Sequence, residues 1–238
     1  NDLYGYQCGD KITTGYANTI YGGFSMDSGA ATTGYNNVGI GTSLMRNLTS
    51  GHSNTAAGVR ALADNTTGTA NTSIGYESLT NNTTADGNVA VGSEALFTNT
   101  TGTGNTAVGF ISLKTSTGAS FNTAVGSASG DVVTTGASNV MIGTDAAGAS
   151  TTGSENCYIG RSAGLHETAM TVGNRNNVMG AYSAPSVANG NDQIVLGNDV
   201  KGTADATMTV GVSDNTASLA LDGSDTSWAA ASSDERLK

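Results

Sequence analysis

The 238-residue chain is light and glycine-rich: 34 residues are Gly, 12% are charged, 5% are aromatic and one is Pro. A hydrophobic content of 37% with so little charge excludes the signature of disorder, and the absence of an apolar run of about 18 residues excludes a helical membrane span. A net charge of −10, with nine Lys and Arg scattered along the chain, disfavours nucleic acid and anionic lipid as partners.

In chain order, the first elements repeat. Asn, three residues, then Gly occurs at Asn1 and Asn18, then at Asn37, Asn54, Asn71, Asn88, Asn105, Asn122, Asn139 and Asn156, a constant step from Asn37 onward. Asn176 follows after a slightly longer step, and Gln193 after the regular one, which makes twelve copies across positions 1–197. A fixed period of this length signals a solenoid, and the helical 3.6-residue period is absent. The fourth position of each copy is β-branched in Ile40, Ile74, Val91, Val108, Val125, Ile142 and Ile159. It is expected to face the core, with the second position beside it, because strand side chains alternate. The third position, mostly Ala or Ser, is expected to form a second, close-packed surface against a neighbouring copy.

A second strand-like patch follows in each copy. Its bulky column runs Met45, Leu62, Leu79, Leu96, Leu113, then Gly130, Ala147 and Gly164. The core is therefore expected to narrow, or to change its filling partner, after about residue 120. Turns such as Thr66-Thr67-Gly68 supply the corners, where Gly permits positive φ. The expected fold class is all-β: a parallel β-solenoid, or β-roll, of 17-residue coils over 1–197. So thin a coil buries little, so homo-oligomerisation is expected.

The Asn column at Asn37, Asn54, Asn71, Asn88, Asn105, Asn122, Asn139 and Asn156 fits an amide ladder, hydrogen-bonded from coil to coil. Tyr4 and Tyr21 occupy the fourth position, as larger core plugs or in a reversed register. Tyr6, Tyr16 and Tyr35 lie at corners, suited either to interface packing or to stacking on the sugar rings of a receptor. The longer step after Asn156 places extra residues around Leu165–Met170, where solenoid insertions often carry binding. Residues 198–227 read as a short β stem, with strands at Val200–Gly202, Ala206–Val212 and Ser218–Leu221.

Catalytic signatures are missing. The sequence has no phosphate-cradling glycine loop and no nucleophile elbow. Cys8 and Cys157 read as buried free thiols, and neither His52 nor His166 has a partner at zinc spacing. No metal, no cofactor and no enzymatic activity are expected. The late acidic residues Asp192, Asp199, Asp205, Asp214, Asp222, Asp225 and Asp234 read as a solvated stem, the alternative being a glycosidase carboxylate pair.

The Asn-Thr-Ala-Val-Gly repeats with their Ala-Leu and Thr-Thr-Gly companions resemble the head repeats of trimeric bacterial adhesins, which also occur in bacteriophage tail fibres. That resemblance implies left-handed β-rolls packed as a homotrimer. Residues 228–238, Trp228 to Lys238, resemble the opening of the endosialidase-type intramolecular chaperone of phage fibres and tailspikes. The resemblance implies an autocleavage junction at Ser233 and Asp234, with Lys238 as the partner lysine. It places the chaperone itself beyond Lys238, so no cleavage is expected of this chain. Together the two resemblances imply a structural and host-attachment component of a phage tail fibre or virion appendage. Its partners would be a bacterial surface glycan or protein and other tail or virion proteins. The alternatives are the head of a bacterial trimeric surface adhesin, at the cell surface, and a glycan-depolymerising tailspike.

Overall fold

The computed structural model describes residues 1–27, 29–165, 172–187 and 189–221, and the backbone of 229–230. Among the described residues every regular element is a strand and none is a helix. The chain forms two compact units, Asn1–Asn122 and Thr123–Lys238, each built of stacked β-solenoid coils. The first unit holds seven three-residue strands: β1 (Asp2–Tyr4), β2 (Thr19–Tyr21), β3 (Val38–Ile40), β4 (Thr55–Ala57), β5 (Thr72–Ile74), β6 (Val89–Val91) and β7 (Thr106–Val108). Each pairs in parallel with the next and in unbroken register, so that Val38, Thr55 and Thr72 stack in one column.

The second unit continues the pattern with β8 (Thr123–Val125), β9 (Val140–Ile142), β10 (Cys157–Ile159), β11 (Asn177–Met179) and β12 (Ile194–Asn198). There the repetition stops. β13 (Thr207–Val212) pairs in parallel with β12, then turns back as the antiparallel β14 (Asn215–Ala220), which pairs with β15 (Ala229–Ala230). Of the stem strands expected from sequence, Val200–Gly202 does not form: Lys201 makes only an isolated bridge to Ala184.

The strand faces are the reverse of the sequence expectation. The third position is the inner one: Ala56, Ser73, Ala90, Ala107, Ala124, Met141 and Tyr158 are all essentially inaccessible. The fourth position points outward, with Ile40 62% and Ile74 41% exposed, and the second does the same at Val38. The cause is the length of the strand. Three residues place one side chain inside and two outside, and the inner one must be small where a large side chain arrives from across the coil. β-Branched residues in the outer columns reflect strand propensity rather than core packing.

The second strand-like patch is not a strand either. Along it every second residue takes φ near +50°: Arg60 59° and Leu62 55°, Glu77 51° and Leu79 48°, Glu94 56° and Leu96 51°. This left-handed alternation curls the chain back within a single coil while keeping a hydrogen-bonded ladder. Leu62 N–H donates to Ser78 O at 3.0 Å and Leu79 N–H to Ala95 O at 2.9 Å. Left-handed geometry costs a non-glycine residue about 1–2 kcal/mol. Burial of Leu62, Leu79, Leu96 and Leu113 opposes that cost.

The repeat glycine has a different constraint. Gly58 and Gly75 have φ of 129° and 135°, and a Cβ on either would lie 2.5 Å from the carbonyl oxygen of the glycine one coil on. The coils stack glycine on glycine, which explains why this position never varies along the array.

Candidate interaction surfaces

The Asn column is buried throughout, from Asn37, Asn54, Asn71, Asn88 and Asn105 to Asn122 in the first unit and at Asn139 and Asn156 in the second. Asn54 exemplifies a rung. Its N–H and Nδ2 both donate to Asn37 Oδ1, at 3.0 and 3.1 Å, and Nδ2 also donates to Gly68 O at 3.0 Å. Its own Oδ1 accepts the N–H and Nδ2 of Asn71. Each such amide is therefore saturated by protein, with nothing left to coordinate a metal or hold a glycan. The second unit repeats the rung between Asn139 and Asn156 and ends it at Gln193, whose longer amide reaches Ser186 and Asp205 instead.

A second amide column sits beside the first. Asn65, Asn82 and Asn99 are fully buried. Asn82 Nδ2 donates to Asn65 Oδ1 at 2.9 Å and Asn99 Nδ2 to Asn82 Oδ1 at 3.3 Å. Both columns grip the same corner carbonyls: Gly68 O accepts from Asn54 and Asn65, and Gly102 O from Asn88 and Asn99. The sequence carries the signal, an Asn at the repeat spacing, but it is easily mistaken for general Asn/Thr richness.

The outward strand columns form the main candidate surface. In the first unit the fourth position presents Tyr4, Tyr21, Ile40, Ala57, Ile74, Val91 and Val108 in register. In the second unit the same column presents Val125, Ile142, Ile159, Met179, Leu196 and Val210. Val125, Ile142 and Met179 are among the exposed large hydrophobic residues. Leu196, Val210 and Val212 also border a shallow apolar groove. An exposed apolar column of this kind is a candidate interaction surface. Cys157 lies in the neighbouring second column as a half-buried free thiol, and Cys8 is likewise half-buried rather than enclosed. Burial pushes both thiols above their ordinary range, so neither is an activated nucleophile.

Tyr6 and Tyr16 are strongly exposed and Tyr35 is half-buried. Tyr16 and Tyr35 belong to one corner column and stack at 4.9 Å between ring centroids, 5° from parallel. His52 continues the stack on Tyr35 at 4.5 Å. Tyr6 instead meets Phe24 edge-on at 5.5 Å. Tyr4 and Tyr21 are neither core plugs nor out of register: they lie on the outer face, 58% and 48% exposed, stacked on each other at 4.7 Å. Rings stacked at the coil pitch cover one another's faces and offer their edges and hydroxyls.

The late acidic residues are dispersed in role. Asp192 is gripped by Arg175 through Nε at 2.6 Å and a terminal nitrogen at 2.8 Å, which holds its carboxyl below the usual range. Asp205 accepts from Asn191 N–H and Gln193 Nε2. Asp222, Asp225, Asp234, His166 and the junction residues Ser233 and Lys238 lie outside the described residues. Among the described residues no three His, Cys, Asp or Glu side chains converge as a metal site. No protein-family profile, curated protein or solved structure matches this chain.

Proposed function

We propose that the chain is a structural and host-attachment segment of a phage tail fibre or related virion appendage, assembled from three copies packed through the outward strand columns. The observation that carries this reading is the outward fourth-position column, which presents exposed aliphatic residues in both units, Ile40 and Ile74 in the first and Val125, Ile142 and Met179 in the second. A parallel sheet is ordinarily covered on both faces; here the core covers one and solvent meets the other. A second copy of the chain is the natural cover, because only a partner with the same coil spacing keeps its side chains in step with a ladder repeating about every 4.8 Å. The choice of three copies, and of a phage over a bacterial surface adhesin, follows the resemblance of the repeats and of residues 228–238.

The test is mass in solution. Light scattering is expected to give three times the 23.6-kDa chain mass. The double substitution Ile74→Asp with Ile142→Asp is expected to yield folded monomers, since each buried carboxylate at an interface is heavily penalised. A monomeric wild-type chain would overturn the reading. The mass of the protein from its native source then separates fibre from adhesin: a terminus near Ser233 supports the fibre, and a longer chain running into a coiled coil and membrane anchor supports the adhesin.

A further inference from the structure

We propose that the concavity between the last solenoid coils and the β13–β14 hairpin binds a neutral or amino-substituted pyranose sugar. This rests on the host-attachment reading and names the chemistry of its receptor. The concavity exists because the repetition stops. After β12 the chain makes one more parallel strand and then reverses, so among the described residues no further coil stacks on the turn side. Lys201, four residues after the repeat glycine Gly197, stands where Leu62 and Leu113 close the core of earlier coils, and it is exposed. At the surface beside it is a concavity of about 550 Å³ lined by Leu165, Tyr182, Asp199, Lys201, Ser213, Asp214 and Thr216. That volume falls within the range of small-molecule sites, roughly 300–1,000 Å³.

The lining fits a sugar. Tyr182 is 38% exposed, and the Arg161 guanidinium lies 4.6 Å from its ring centroid, which orients the ring. An aromatic ring with an exposed flank packs against the C–H face of a pyranose. Asp199 and Asp214 accept hydrogen bonds from vicinal hydroxyls and Lys201 donates to ring or hydroxyl oxygens. Ser213 Oγ donates to Asp199 Oδ2 at 3.4 Å on the rim of the concavity. Asp199 and Asp214 are matched in number by Lys201 and the Arg161 guanidinium on Tyr182, so the discrimination against acidic sugars comes from the chain's net charge of −10.

The experiment is saturation-transfer-difference NMR with titration calorimetry on the full chain. The probes are methyl glucoside, methyl galactoside and glucosamine, with N-acetylneuraminic acid as the acidic comparator. At least one of the first three is expected to bind in the millimolar range and the acid not to bind. Tyr182→Ala and Asp214→Asn are each expected to weaken binding about tenfold, with circular dichroism and assembly mass unchanged. Absence of binding by the first three, preference for the acid, or affinity unchanged in both variants overturns the site. Adhesion of labelled chain to a panel of bacterial strains separates the two claims. Adhesion that survives Tyr182→Ala undiminished overturns the cavity as receptor site and keeps the attachment reading. Sugar binding without adhesion to any strain overturns attachment and keeps the cavity.

Discussion

Coils β4 to β7 of the first unit and β9 and β10 of the second fill their cores from opposite sides. From β4 to β7 the large residue comes from the turn: Leu62, Leu79, Leu96 and Leu113 are fully buried, and the strand residues of the same coils are Ala56, Ser73, Ala90 and Ala107. In the second unit the strand supplies it: Met141 and Tyr158 are fully buried, while the turn position carries Ala147 and Gly164. The exchange is enforced by contact, since a Cβ on Gly164 would lie 2.9 Å from the Tyr158 ring. The coil of β8 has small residues at both places, Ala124 and Gly130, and buries Val133 at the position where the first unit has Asn65, Asn82 and Asn99. The core does not narrow past residue 120; its filling partner changes. The coils from β4 to β10 behave as slots of similar volume in which total occupancy matters more than which position provides it.

The largest test of that idea is Tyr158→Ala. With Gly164 opposite, nothing in the coil compensates, and the loss is expected to reach about 4 kcal/mol. Chemical denaturation followed by circular dichroism measures it; a loss below about 1 kcal/mol would break the comparison. The next test transplants one unit's solution into the other. Leu96→Ala alone is expected to cost about 3 kcal/mol by leaving a cavity, and Ala90→Met alone about 2 kcal/mol by overpacking. The double variant copies the Met141 and Ala147 pairing. A favourable coupling of about 2 kcal/mol is expected from the complete cycle, and additivity would mean that the two positions do not share a slot.

The period and the all-β solenoid were legible because Asn, Gly and the corner threonines recur at fixed spacing, and such columns have few physical explanations. The direction of the side chains was not. Ile40 and Ile74 look like core residues by hydropathy, and Ala90 and Ala107 look like surface, but a three-residue strand facing Leu96 and Leu113 has room only for alanine inside. The left-handed residues of the turn were hidden as well, since Arg60, Glu77 and Ile111 are not residue types that announce positive φ. The aromatic stack was readable in principle from the spacing of Tyr16, Tyr35 and His52, which match the local steps of the repeat. The cavity at Tyr182 was not, because it is made by the end of a repeat rather than by a motif.

The smallest expected effect concerns the polar half of the same comparison. The second amide column stops at Asn99, whose Oδ1 is buried without a partner, and the next position in the column is Ser116, whose buried hydroxyl is also unpaired. Two adjacent unsatisfied groups lie where the first unit's solution runs out. Ser116→Asn supplies a Nδ2 that reaches both the free Asn99 Oδ1 and Ala119 O, the carbonyl that already accepts from Asn105. The geometry is that of Asn82, which donates to Asn65 Oδ1 and to Ala85 O beside Asn71. A gain of about 1 kcal/mol is expected, read as a raised denaturation midpoint with unchanged slope. A loss would mean that the space beside Leu113 is already full, and that the column ends at Ser116 because the amide does not fit rather than because the array changes its filling partner.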